Sequence, residues 1–139
     1  MPCEPEPNGC HETRCESLIM KVNVARSTIY LVDEGEGTPT LFLHGNPDSS
    51  EVWNGVIHRL RPYLRCLAPD LPGFGRSTAP EDFDYSLEGM AAFVDDLVTT
   101  LGIAEPINLV VHDIGGSFGL AWVVKHPEKV RSVVITNTV

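Results

Sequence analysis

From Ser17 onward the chain alternates short β-branched runs with longer stretches whose apolar residues recur at helical spacing. This pattern predicts strands near 17–24, 27–33 and 39–44. The second and third are separated by Glu34-Gly35-Glu36-Gly37, a turn-forming run too short to hold a crossover helix, so the two strands are expected to form an antiparallel pair. A helix follows near 50–61, with Val52, Trp53, Val56, Ile57 and Leu60 on one face and Ser49 or Ser50 at its cap, then a strand at 65–69. Ser86 caps the next helix, where Met90, Phe93, Val94, Leu97 and Leu101 repeat until Gly102 supplies a stop. Pro106 breaks the chain, and 107–111 is an apolar run with one Asn, as expected of a strand covered on both faces. Residues 115–126 read as a helix ended by Pro127, and 130–139 as a last strand. Strands alternating with helices in this way specify a parallel α/β domain, expected here to be truncated after about its sixth strand.

Composition narrows the class. The 139 residues are 42% hydrophobic and carry 10 Lys+Arg against 19 Asp+Glu, a net charge of −9, with no apolar run long enough to span a bilayer. That excludes collagen, coiled coil and wholesale disorder. An acidic chain without a Lys/Arg cluster lacks the footprint that nucleic acid or anionic lipid requires, so neither is an expected partner. Residues 1–16 hold Cys3, Cys10 and Cys15 with Pro2, Pro5 and Pro7 and almost nothing apolar, and read as a disordered acidic leader ahead of a domain over 17–139. The start has neither the basic residues nor the apolar stretch of a secretory signal, so a cytoplasmic location is expected. Cys3, Cys10, His11 and Cys15 are the ligand types zinc prefers, but their gaps match no paired C-x-x-C arrangement. The expectation is no metal and no cofactor. Cys66, alone in an apolar segment, reads as a small core residue.

Three strand-to-helix junctions carry unusual residues, and in open parallel sheets ligands bind at such junctions. They are His44-Gly45-Asn46-Pro47; the turn from Asp70 to Ser77 with Gly73 and Gly75; and Val111-His112-Asp113-Ile114-Gly115-Gly116. In the third, an ionisable residue sits at the change from strand to helix, followed closely by two glycines. Asp113 is thereby presented on a sharp turn, with the Ile114 amide and the helix N-terminus facing any developing negative charge. A literal G-x-S-x-G also occurs around Ser117, but that serine lies about one helical turn past the junction and so misses the turn itself. The alternative for Asp113 is a simple helix cap, a role Asp fills well. Trp53 and Trp122 each fall on an apolar helical face, where packing is expected. His58 and His126 are expected at the surface or its boundary, and His112 should point to the sheet face opposite that of Asp113. Asp70 and Ser77 are expected to fix their turn.

From about Ser17 to Val139 the sequence resembles the front half of an α/β-hydrolase-fold enzyme, with the three junctions in the family's order. With Asp at the elbow, His112 before it and Gly115-Gly116 after it, the chain is similar to the haloalkane dehalogenase and epoxide hydrolase branch. The resemblance implies a hydrolase that forms an alkyl ester on Asp113, which water then hydrolyses with help from a histidine and an orienting acid. It implies an oxyanion hole from the Asn46 and Ile114 amides, supported by His44, Gly45, His112, Gly115 and Gly116. His44 is expected to buttress the oxyanion loop. The implied partners are a small apolar, halogenated or epoxide substrate and water. Many of these dehalogenases follow the nucleophile with a halide-holding Trp, whereas here Ile114 stands there; the Asn46 side chain does match a second halide donor. Asn137 falls where some relatives place the catalytic acid, a role an amide cannot fill, so acid and base are expected beyond Val139. The reading from a different class is a non-catalytic fragment or a half completed by a partner, prone to self-association through its last strand.

Overall fold

The computed structural model describes residues 18–139, so the leader and the Cys3, Cys10, His11, Cys15 group lie outside the described residues. Two strands, β1 (Leu18–Val24) and β2 (Ser27–Glu34), form an antiparallel hairpin. β3 (Pro39–Leu43) leads through a 3-10 turn at Ser50–Trp53 into α1 (Asn54–Leu60), then β4 (Arg65–Pro69) and α2 (Leu87–Thr100). β5 (Ile107–Asp113), α3 (Ile114–Lys125) and β6 (Val130–Thr138) complete the order. The sheet runs β1-β2-β4-β3-β5-β6, parallel from β4 to β6.

The expected pairing of the second and third strands is corrected by this order: β4 lies between β2 and β3, antiparallel to the first and parallel to the second. The 35–38 turn spans two strand spacings, about 9.5 Å, instead of closing a hairpin. The β3-α1-β4 crossover fills the gap, and Arg65 locks it by a bidentate pair with Asp33 at 3.0 and 2.7 Å.

Period-two alternation divides the strand residues between two cores. Leu31, Leu41, Leu43, Leu67, Leu109 and Val111 face α2 and α3, while Tyr30, Val32, Phe42, Cys66 and Ala68 face α1. Each fully buried leucine contributes roughly 1.5–3 kcal/mol. β5 is fully covered on the α2–α3 side and half-covered on the other, where Val110 packs beneath α1. Cys66 is a buried core residue, and burial pushes its thiol up to about 11. Trp53 and Trp122 both pack in the core. The expected apolar face over 50–61 needs correction, since Val52 and Val56 are exposed. Its first turn is 3-10, and only the Trp53–Ile57 line, flanked by Leu60, meets the sheet.

α2 and α3 are clamped at one end by Asp95, whose Oδ1 accepts from Trp122 Nε1 at 3.0 Å and from Lys129 Nζ at 2.6 Å. Partial burial pushes this carboxyl up, but the Lys129 and Trp122 hydrogen bonds outweigh it and hold its pKa below the ordinary range. A depressed carboxylate stabilises the fold above its unfolded pKa, about 3.9, and that contribution is lost as pH falls through the folded value. Asp95→Ala leaves the buried indole N–H unpaired, so urea unfolding at neutral pH is expected to show a loss of about 1–3 kcal/mol. Among the described residues β6 is an outer strand, with Val134 and Ile135 half exposed, and no helix is long and apolar enough to cross a membrane.

Candidate active site

The carboxyl ends of β3, β4 and β5 bring the three junctions together. At the end of β5, Asp113 has φ 52° and ψ −131°, outside strand and helix geometry, and α3 starts at the next residue. Such backbone conformations cost on the order of 1–3 kcal/mol and persist only where the surroundings enforce them. Two neighbours do so here. Gly45 lies so close that a Cβ there would fall on the Asp113 side chain, and a Cβ on Gly115 would strike the His44 and Leu43 carbonyl oxygens. A Cβ on Gly116 would likewise meet the Thr138 side chain.

The Asn46 amide donates to Asp113 Oδ2 at 2.9 Å. This bond and a second from the Ile114 amide hold the carboxyl below its ordinary pKa. Asp113 is therefore ionised at neutral pH, its charge held chiefly by backbone N–H groups, and among the described residues it makes no salt bridge. A carboxylate in that state can attack a saturated carbon directly, and the same amides can stabilise an oxyanion. Beyond the Ile114 amide its side chain makes no bond to α3, whereas an ordinary helix cap accepts from the second or third amide.

His44 is wholly buried and fixes the loop carrying Asn46. Its Nε2 accepts from the Leu71 amide at 2.9 Å, which leaves the proton on Nδ1 to be donated to the Gly45 carbonyl at 2.7 Å. That carbonyl also accepts from the Asp48 amide at 3.0 Å. Burial lowers the His44 pKa, so the folded chain keeps it neutral. Below about pH 6.5 the unfolded chain takes up a proton that the folded one refuses, and stability falls with pH until the lower folded pKa is reached. Urea midpoints on either side of that pH are expected to show this slope, and His44→Gln, though less stable throughout, is expected to flatten it.

Asp70, also buried, accepts from the Ser50 amide at 2.7 Å and the Arg76 amide at 2.9 Å, and its carbonyl receives the Ser77 hydroxyl at 2.6 Å. These residues build the turn and do not reach Asp113. The His112 ring packs edge-on against Trp53, with centroids 6.5 Å apart, on the α1 side of the sheet. His58 is exposed on α1, and His126 lies half-buried beside Asp95. No histidine among the described residues is hydrogen-bonded to Asp113. Ser117 donates to the Val139 carbonyl at 2.7 Å and stays off the turn. Asn137 is exposed at φ 42°, an extra residue where β6 slips register, so that Thr138 is the residue opposite Asp113. The sequence pattern carried no signal for that bulge.

The chain belongs to the alpha/beta hydrolase fold family, which it matches over residues 38–139. Among its relatives, a haloalkane dehalogenase of Agrobacterium fabrum is 40% identical over 111 residues, covering 80% of this chain and 36% of that protein. A cis-3-alkyl-4-alkyloxetan-2-one decarboxylase of Xanthomonas campestris is 39% identical over 116 residues, covering 77% of this chain and 39% of that protein. Among solved structures, an epoxide hydrolase of Vigna radiata superposes with a TM-score of 0.79 at 32% identity, over 84% of this chain and 38% of that one. The chain thus spans well under half the length of each of these relatives.

Proposed function

We propose that this chain carries the nucleophile and oxyanion hole of a hydrolase that works through an aspartyl ester, with carbon–halogen bonds as its substrates. The observation that carries the reading is the Asp113 carboxylate, ionised on a strained turn and held at 2.9 Å by the Asn46 amide. An Asp113 oxygen attacks the carbon bearing the halogen. A C–O bond forms, the C–X bond breaks, and the halide leaves with its electron pair. In this reading the Asn46 side chain, carried on the same loop, receives that halide. Water then adds to the ester carbonyl, losing a proton to solvent; the Asn46 and Ile114 amides hold the oxyanion, and its collapse breaks the acyl carbon–alkoxy bond, releasing the alcohol and restoring the Asp113 carboxylate. The identity to the Agrobacterium dehalogenase supports this choice of substrate.

Ile114 favours a second reading. Its side chain has no donor for a departing halide, whereas a strained oxygen ring keeps its leaving oxygen attached to the product. The Vigna epoxide hydrolase supports that class.

Intact-mass analysis after incubation with dibromoethane or with styrene oxide separates the two. With no described histidine on Asp113 to activate water, the ester is expected to accumulate and to map to Asp113. Labelling by the dihalide supports the dehalogenase reading, and labelling by the epoxide alone moves the proposal to ring opening. An unlabelled Asp113 with both reagents would overturn the nucleophile assignment.

A further inference from the structure

A cavity of 420 Å³ lies between the β1–β2 hairpin and α1; residues 44–47 and 112–116 do not line it, and the Asp70 to Ser77 turn contributes only Arg76. Tyr30, Val32, Glu34, Ser50, Arg61 and Arg76 form much of its wall. Two of the chain's 10 basic residues thus converge on one recess of a protein whose net charge is −9. We infer that this recess binds a small organic carboxylate, its oxygens on Arg61, Arg76 and Ser50 and its hydrocarbon part along Val32 and Ile19.

The hydrogen-bond inventory points to that ligand. Arg61 donates once, from Nη1 to Glu34 at 3.1 Å, and Arg76 donates to the Tyr30 hydroxyl at 2.8 Å and to Glu51 at 3.2 Å. A guanidinium has five N–H groups, so both forks keep free donors. The Arg76 guanidinium is also fixed in place over the Tyr30 ring, 4.8 Å from its centroid. Ser50 is 1% exposed, and its buried hydroxyl has no hydrogen-bond partner, although its amide is satisfied by Asp70. Such a group is costly to leave unpaired. Arg61, Arg76 and Ser50 thus leave unused donors on the recess wall, which suits an oxyanion.

Charge and shape select the kind of oxyanion. Glu34 and Glu51 already pair with the two arginines, so the four groups sum to zero and the two carboxylates oppose a singly charged ligand less than the dianionic form of phosphate. A planar singly charged carboxylate matches the guanidinium fork. Buried Val32 and half-exposed Ile19 offer an apolar flank that a mineral anion would not use.

The test is a titration of the full chain followed by amide NMR, with hexanoate as ligand and hexanol and inorganic phosphate as comparisons. Hexanoate is expected to give saturable shifts at the amides of residues 30–34 and 50–61, with neither comparison saturating. Arg61→Lys, which keeps the charge but loses the fork, is expected to weaken binding about tenfold. Ser50→Ala, a smaller change, is expected to weaken it several-fold, and stands in if the arginine variant unfolds. Absence of saturable shifts, equal binding of hexanol or phosphate, or shifts confined to residues 44–46 and 113–115 would each overturn the assignment. Labelling at Asp113 plays no part in this readout, so the two proposals succeed or fail independently.

Discussion

Asp113→Asn is expected to abolish covalent labelling, by a factor of about 10³ or more, while the chain keeps its fold. An amide oxygen is a poor nucleophile, but Asn tolerates positive φ and its side-chain oxygen can still accept the Asn46 N–H. The variant therefore separates chemistry from architecture, with mass spectrometry reading the first and circular dichroism the second. The wild-type pH profile follows from the same contacts. The Asn46 and Ile114 amides hold the carboxyl below its ordinary pKa, so labelling is expected to stay flat from neutral pH down to about 3.9 and to fall only below it. An acid limb near neutrality would mean that some other group attacks.

Gly115→Ala is expected to be strongly disruptive. The added carbon points at the carbonyl oxygens of Leu43 and His44, which are backbone and cannot swing aside. Overpacking of this kind costs about 1–3 kcal/mol, and more where backbone must move. Against a total stability of roughly 5–15 kcal/mol, that shifts a large share of molecules toward unfolding. Gly55→Ala supplies the contrast: nothing lies within 4 Å of its added carbon, and an alanine within α1 is expected to stabilise by about 0.5–1 kcal/mol. Urea unfolding of both variants checks the opposite signs.

Much of the fold was legible because the signals were local. Ser86 and Gly102 bracket α2, and the β-branched runs fall within a residue or two of their strands. Sheet order was less so, because the Glu34–Gly37 turn gives the same local pattern whether it closes a hairpin or steps over a slot for β4. The exposure of Val52 and Val56 was hidden because a 3-10 first turn alters the angle at which each side chain leaves the axis. At the candidate site, residue types and spacing marked Asp113, Asn46, His44 and the glycines. They could not give the 2.9 Å approach of two segments 67 residues apart, nor the bulge that puts Thr138 opposite Asp113. The donor-rich recess left no sequence signal either, since Tyr30, Ser50, Arg61 and Arg76 come from four separate segments.

The place of β4 between β2 and β3 also fixes when the parts can assemble. β3 is flanked by β4 and β5, both made after it, so a central strand emerges with no neighbour to receive it. The β1–β2 hairpin is complete early, yet its inner edge, Leu31 to Glu34, finds partners only in Cys66 to Pro69. Synthesis therefore runs ahead of docking. A nascent chain halted before Arg65 would expose the unpaired edges of both β2 and β3, the kind of surface that invites chaperones or aggregation.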